Sequence, residues 1–182
     1  MPRYVALLRA INVGGHNVKM AHLRELFESL GFSDVETFIA SGNVIFDSET
    51  EDTEMLERKI EDHLRGSLGY EVAPFVRTAS ELENISRYRP FDSSDLDEEG
   101  TSLYIAFLQA LPNAEAQGKL MAFRNEVDDF SVHGREVYWL CHKKISESSF
   151  SGALLEKVLG MPATMRNSTT VRRLAAKYPA PT

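Results

Sequence analysis

The sequence lacks the features that mark disulfide-stabilised, zinc-binding and membrane proteins. Its 182 residues include one cysteine, Cys141, which excludes an internal disulfide and most cysteine-based metal sites. No segment approaches the roughly 18 apolar residues of a membrane span, and the N-terminus has no apolar signal-peptide core. We therefore predict a cytoplasmic protein with no membrane partner.

Positive charge is also scarce. The chain has 20 lysines and arginines against 27 aspartates and glutamates, which gives a formal net charge of -7. A chain of this sign does not offer the broad basic face that nonspecific nucleic-acid binding needs. The sequence therefore predicts that such binding is absent, although it leaves room for a local basic patch.

Signatures of known catalytic chemistry are missing too. The five histidines have no metal-binding spacing, and neither a P-loop, nor G-x-G-x-x-G, nor a G-x-S-x-G elbow occurs. Cys141 lies in the apolar stretch 137–141, which favours a buried core position over a nucleophile. We expect no metal and no cofactor, and the sequence identifies no catalytic residue.

What the sequence does have is a regular succession of strand and helix patterns that starts at the N-terminus. Residues 4–11 form an apolar run broken only by Arg9, which is typical of a buried strand. Gly14 and Gly15 then supply a turn, and Asn17 is placed to cap a helix. The apolar face of that helix recurs at helical spacing and consists of Leu23, Leu26, Phe27 and Leu30.

Later helices also carry signals at their ends. The acidic residues 49–52 precede a second helix, and Gly69 closes it. Asn113 opens a further helix, which is predicted to turn Phe123 inward. Ser168 is predicted to cap the final helix.

The order of these patterns indicates a repeated fold. Strand, helix, strand, strand, helix and strand fill residues 1–79, which is the ferredoxin-like order. A short helix and an acidic linker occupy residues 80–101, and the same order with an added helix fills residues 102–182. The sequence therefore predicts an α+β fold of two tandem ferredoxin-like β-α-β-β-α-β units with a C-terminal helix.

This topology brings two polar turns of the first unit to one end of its sheet. The first strand and the second strand both finish there, so the loop after the first strand meets the hairpin. We call this the glycine-turn end, and its residues are Arg9, Asn12, Gly14, Gly15, His16, Asn17, Lys19, Ser41, Gly42 and Asn43. They include no carboxylate and adjoin a helix N-terminus, so they favour an anion site. Two adjacent turns without a ligand remain the alternative.

A second polar cluster is predicted at the opposite end of the second unit's sheet. Its members follow the third and fourth strands of that unit and are Lys143, Lys144, Ser149, Arg166, Asn167 and Thr169. A helix cap at Ser168 beside a solvated turn accounts for part of this cluster without a ligand.

Several segments resemble a known family, the domain-of-unknown-function family 1697. They are residues 6–15, 30–32, 41–46, 76–78 and 163–167. The resemblance extends over nearly the whole chain and implies a bacterial α+β protein of two ferredoxin-like halves, with no established activity. The chain departs from the family at His16, where a basic residue is common, and at Ser168, where an aromatic residue is common. Because histidine changes charge near neutral pH, His16 predicts a pH-dependent anion affinity.

Three functions follow as hypotheses. The first is a binding module for an anionic small molecule, phosphate- or nucleotide-like, at the glycine-turn end. The second is a hydrolase- or transferase-like enzyme in the same pocket, with Arg9 or Lys19 stabilising negative charge and His16 carrying a proton. The third is a protein-interaction or homodimerisation domain. Monomer and homodimer both remain open, as does the question of catalysis.

Overall fold

The structure, a computed structural model, describes residues 1–12, 14–39 and 42–182. Backbone contacts divide the chain into two units, which are Met1–Ser86 with Arg173–Thr182, and Arg87–Arg172. The later division falls inside the final helix, so the last residues of the chain belong to the first unit. The domain limits inferred from the sequence stay a prediction.

The first unit has the predicted order of strands and helices. Its elements are β1 (Arg3–Arg9), α1 (Met20–Glu28), β2 (Ser33–Thr37), β3 (Asn43–Asp47), α2 (Thr53–Leu68) and β4 (Ala73–Thr78), and α3 (Ala79–Arg87) follows. The strands form an antiparallel sheet in the order β2-β3-β1-β4. The strand β1 is therefore central, as its apolar run predicts.

The second unit repeats this arrangement. A short helix α4 (Ser93–Leu96) precedes β5 (Ser102–Leu108), α5 (Ala114–Met121), β6 (Asp128–His133), β7 (Glu136–Cys141), α6 (Gly152–Leu159), β8 (Ala163–Asn167) and α7 (Ser168–Lys177). The sheet order is β6-β7-β5-β8, again antiparallel. The prediction of two tandem ferredoxin-like units is thus confirmed.

One face of each sheet packs against the two helices of its unit. In the first unit, Leu23 and Phe27 of α1 and Ile60 of α2 are fully buried against Ala6 and Phe46. The helical spacing of these residues places them on one side, and burying each such side chain contributes about 1.5–3 kcal/mol. In the second unit, the predicted core residue Trp139 is buried in the corresponding cluster.

The predictions for the ends of the helices are confirmed for α2 and wrong for α1. The carboxylate of Asp52 caps α2 by accepting from the amides of Glu54 and Met55, and Gly69 closes the helix with φ 81°. The predicted cap at Asn17 is wrong, because α1 begins only at Met20 and has no side-chain cap.

The prediction that Phe123 points inward is also wrong. The helix α5 ends at Met121, two residues earlier, so helical spacing no longer fixes the direction of Phe123. Its side chain is 39% exposed and its ring lies edge-on against Phe150.

Candidate functional site

The hairpin at the glycine-turn end is held tightly against the end of β1. The carbonyl of Gly42 accepts from the amide of Leu8 at 2.8 Å. Gly42 has φ 83°, and a Cβ there would lie 2.9 Å from Cγ2 of Ile11, so only glycine fits. The buried Asn43 donates to the carbonyl of Phe38 at 2.9 Å. Gly42 and Asn43 therefore close the hairpin, while Ser41 lies outside the described residues.

The loop between β1 and α1 is held by one hydrogen bond within the loop and by contacts with the distant Tyr70. The side chain of Asn12 accepts from the amide of Val18 at 2.9 Å. Tyr70 donates its hydroxyl to the carbonyl of Ile11 at 2.8 Å, and its ring stacks on His16 with 3.7 Å between centroids. Burial raises the pKa of Tyr70 above its ordinary value. These contacts thus hold the loop on both sides of Gly14 and Gly15.

These contacts leave a cavity of about 420 Å³ in front of α1. The residues that line it are Gly15, His16, Asn17, Val18, Lys19, His22, Leu68 and Tyr70. Four of the predicted site residues therefore meet at this cavity. Arg9 ends β1 opposite Ala73. Arg9, Asn12 and Gly14 do not line the cavity.

The cavity has a basic character. His16, Lys19 and His22 line it, and none of its described lining residues is acidic. Glu25 lies 3.7 Å from His22, but both side chains are mostly exposed to water. The helix α1 also has no side-chain cap and no acidic residue in its first turn, so no carboxylate of that turn offsets the partial positive charge of its N-terminus.

Two residues at this end adopt strained backbone conformations. Ala10 follows β1 with φ 61°, and Ile39 follows β2 with φ 58°. Left-handed backbone in a β-branched residue is rare and costs of order 1–3 kcal/mol.

Sequence reasoning missed His22 and Tyr70. His22 lies three residues after Lys19, which is one helical turn and could have been noticed. Tyr70 lies 59 residues from its partner Ile11, and no local pattern announces that contact.

The second polar cluster is divided in the structure. Asn167 and Thr169 line a cavity of about 700 Å³ in the second unit, whereas Lys143, Lys144 and Ser149 are exposed and do not line it.

Arg166, the remaining member of that cluster, is buried within β8. It donates to Oγ1 of Thr164 at 2.8 Å and to the carbonyl of Met165 at 2.9 Å. Burial lowers the pKa of Arg166 to about 10. Its guanidinium thus serves the local structure of β8.

The side chain that caps α7 belongs to Asn167 and not, as predicted, to Ser168. The side chain of Asn167 accepts from the amide of Thr169 at 2.9 Å, which caps α7 one residue earlier than expected. Ser168 is instead the first residue of the helix.

Cys141 is buried, as predicted, and its thiol donates to the carbonyl of Lys143 at 3.1 Å. Burial raises the pKa of the Cys141 thiol above its ordinary value, which disfavours the thiolate that nucleophilic chemistry needs. Among residues 1–12, 14–39 and 42–182, no group of three histidine, cysteine, aspartate or glutamate side chains is arranged to hold a metal ion.

No helix in the described part of the chain has the length and apolarity to cross a bilayer.

The comparisons with known proteins concern fold and family. Among solved structures, the chain is similar to the conserved bacterial protein SP0830 from Streptococcus pneumoniae, with a TM-score of 0.77, 21% identity and 98% of each chain covered. This likeness shows the shared fold. No curated protein matches the chain. The model of a family described as protein of unknown function (DUF1697) matches residues 1–138. Because that match spans more than half of the 182 residues, the chain belongs to the DUF1697 family.

Proposed function

We propose that this protein binds an anionic small molecule, phosphate- or nucleotide-like, at the glycine-turn end of its first unit. One observation carries the proposal. The uncapped N-terminus of α1 adjoins a cavity whose lining includes His16, Lys19 and His22 and no acidic residue among those described.

The electrostatics of this cavity support an anion. Each favourable charge at a helix end contributes about 0.3–1 kcal/mol. One charge-assisted hydrogen bond, such as Lys19 can donate, adds about 1.5–3 kcal/mol. Together these contributions reach roughly 2–6 kcal/mol, which corresponds to dissociation constants from about 30 mM to about 40 μM. Because the whole chain has a net charge of -7, the basic residues of this cavity form a local site and are not part of a broad basic surface.

The shape of the cavity supports a ligand larger than inorganic phosphate. Its volume of about 420 Å³ lies within the range of small-molecule sites, about 300–1,000 Å³. The stacked rings of His16 and Tyr70 line the cavity together with Leu68, so part of its wall is apolar. A planar organic group can lie against that wall while its phosphate faces Lys19, which favours a nucleotide-like ligand.

Calorimetric titration with inorganic phosphate and with AMP at constant ionic strength tests the proposal. We expect AMP to bind more tightly than phosphate, and the double variant His16→Ala/Lys19→Ala to lose about tenfold in affinity. Lys119→Ala is the matched control, because Lys119 is exposed, pairs with Glu115 and lies in the second unit. Equal affinity of the wild-type protein and the double variant for both anions would refute the proposal.

A further inference from the structure

Two cations share one aromatic ring on the surface of the first unit. The ring belongs to Phe38, which follows the edge strand β2. The guanidinium of Arg173 lies over this ring at 5.5 Å from the centroid, and the ammonium of Lys177 lies over it at 5.3 Å. Lys177 also lies 5.4 Å from the ring of Tyr178, which meets Phe38 edge-on. We call Phe38, Ile39, Arg173 and Lys177 the cation–aromatic patch, and all four residues belong to the first unit.

The positive charge of this patch is not neutralised within the described part of the chain. Arg173 and Lys177 are exposed, and neither forms a salt bridge with a described residue. The carboxylate of Glu36 reaches this part of the unit, but it accepts the hydroxyl of Tyr178 at 2.7 Å. The helix α7, which carries both cations, has three basic residues and no acidic residue. Because like charges four residues apart repel each other, an external carboxylate beside both of them is favourable.

An apolar side chain is exposed next to these charges. Ile39 is 43% exposed, and Phe38 is half-buried. Two cations lie over the ring of Phe38, so a nucleic-acid base that stacks on this ring competes with them. An apolar side chain that packs on Ile39 does not displace either cation. The patch therefore fits a peptide segment with carboxylates on both sides of an apolar residue.

The chain itself contains a segment with this composition. Residues 92–99, which we call the acidic segment, have five carboxylates and no basic residue around Leu96. Of the five, Glu98 lies 3.3 Å from Nδ1 of His142, and the other four form no salt bridge with a described residue. The segment is exposed apart from Leu96, which is half-buried. It belongs to the second unit and includes the single turn of α4.

We propose that the acidic segment of one copy of this protein docks on the cation–aromatic patch of a second copy. The carboxylates on both sides of Leu96 pair with the two cations, and Leu96 packs on Ile39. Each copy has both surfaces and so contributes to association in two ways. The net charge of -7 on each chain opposes the approach of two copies. Salt at about 0.1 M screens charges that lie more than about 10 Å apart and weakens the close pairs much less.

Sedimentation velocity of the full chain at about 0.1 M salt tests this proposal. We expect the sedimentation coefficient of the wild-type protein to rise with protein concentration. Arg173→Glu/Lys177→Glu should weaken this association at least about tenfold, since two close pairs become repulsive. Lys119→Glu/Lys157→Glu is the matched control, because it makes the same change of net charge at exposed lysines of the second unit. The control should associate more strongly than the patch variant.

A mixture of two variants tests the pairing itself. Asp95→Lys/Asp97→Lys reverses the charge of the acidic segment and should also prevent self-association. Mixed with the Arg173→Glu/Lys177→Glu protein, it should form a complex, because both contacts between the unlike copies are complementary again. Recovery in the mixture shows that both variants are folded. Two variants that are monomeric alone and stay monomeric when mixed would overturn the pairing.

Other occupants of the patch give different results. A wild-type protein that stays monomeric up to about millimolar concentration would overturn the proposal. If that monomer bound phosphatidylglycerol vesicles or single-stranded oligonucleotides, and Arg173→Glu/Lys177→Glu removed the binding, the patch would belong to a membrane surface or to a nucleic acid instead. None of the patch residues lines the cavity at the glycine-turn end. AMP binding should therefore be the same in the patch variant, and failure of this proposal leaves the proposed anion site standing.

Discussion

Each unit has a junction between its last strand and the helix that follows, β4–α3 and β8–α7. The two junctions share the position and backbone contact of an arginine, and they differ in how the helix is capped. Arg77 lies opposite Val5 and Arg166 lies opposite Ile105, each on the edge strand of its sheet. Both arginines donate through Nη1 to the carbonyl of the preceding residue. The first junction then closes with its own capping box, whereas the second has an asparagine cap and a cavity. A tandem fold can thus keep one local structure and cap the following helix differently in its two copies.

The surroundings of the two arginines also differ. Arg77 lies 4.0 Å from the carboxylate of Glu57, and both side chains are buried. Arg166 has the neutral acceptor Thr164 instead, and burial lowers its pKa to about 10. The first junction therefore has a carboxylate close to its arginine, whereas the arginine of the second junction donates to the neutral hydroxyl of Thr164.

The largest expected effect is at the buried ion pair of the first unit. Glu57→Ala leaves Arg77 in the interior without this carboxylate and also removes the acceptor of the Val76 amide. Breaking a buried pair from one side costs about 3–5 kcal/mol. Urea denaturation should show that loss in the free energy of unfolding. A change below about 1 kcal/mol, the value typical of exposed pairs, would mean that the pair does not stabilise the first junction.

A smaller loss is expected at the second junction. Thr164→Val keeps the shape of the side chain and removes one acceptor from Arg166, which retains the carbonyl of Met165. Loss of a hydrogen bond to a charged group costs about 1.5–3 kcal/mol. The same denaturation experiment measures it. If Thr164→Val cost more than Glu57→Ala, the contrast between the two junctions would be reversed.

The capping difference predicts opposite changes of still smaller size. Glu81→Ala opens the capping box of α3 and should destabilise the protein by about 1 kcal/mol. Thr170→Glu should stabilise it by about 0.3–1 kcal/mol, since it adds a carboxylate at an uncharged helix N-terminus. Thermal unfolding of the two variants compares them. Destabilisation by Thr170→Glu would show that the two helix starts are not equivalent.

The C-terminal end of α7 gives the last contrast, because a side-chain hydrogen bond holds Tyr178, the residue that follows the helix. Tyr178 donates to the carboxylate of Glu36 at 2.7 Å, and burial together with this bond raises the pKa of Tyr178 from 10.0 to about 12. Between these values the unfolded chain loses the proton and the folded chain keeps it. The free energy of unfolding should therefore fall as pH rises across that window.

Tyr178→Phe removes this contribution, so its stability should decline less steeply than that of the wild-type protein above pH 10. The comparison between the two proteins is needed because Arg166, with its lowered pKa, contributes with the opposite sign in the same range. Denaturation at a series of pH values provides the slopes. Identical slopes would show that Tyr178 ionises alike in both states.

The fold could be predicted because its signals are local and periodic. The run 4–11, the helical stripe from Leu23 to Phe27 and the end signals at Asp52 and Gly69 all act within a few residues. The start of α1 at Met20 could not be predicted, since the loop is shaped by the hydrogen bond from the amide of Val18 to Asn12 and by the distant Tyr70. These contacts overrode the local preference of Asn17 for a capping position.

The sites were predictable only in outline, for the same reason. The topology predicted that the glycine pair lies near the hairpin, but it did not predict that Tyr70 and His22 line the cavity. In the second unit the cap moved from Ser168 to Asn167, and Arg172 and Arg89 replaced the expected lysines. Which polar residue faces a cavity depends on a shift of one position, which a sequence pattern does not resolve.

The anion site at the glycine-turn end is tested most directly by nuclear magnetic resonance of the ¹⁵N-labelled protein during titration with AMP. Binding there predicts progressive, saturable shifts of the backbone amides of Gly15, Lys19 and His22, because these residues line the cavity at the start of α1. Adenosine at the same concentrations should shift these amides much less, because it lacks the phosphate that the site is proposed to bind. Unchanged positions of all three amides at millimolar AMP would contradict an anion site at this end of the protein.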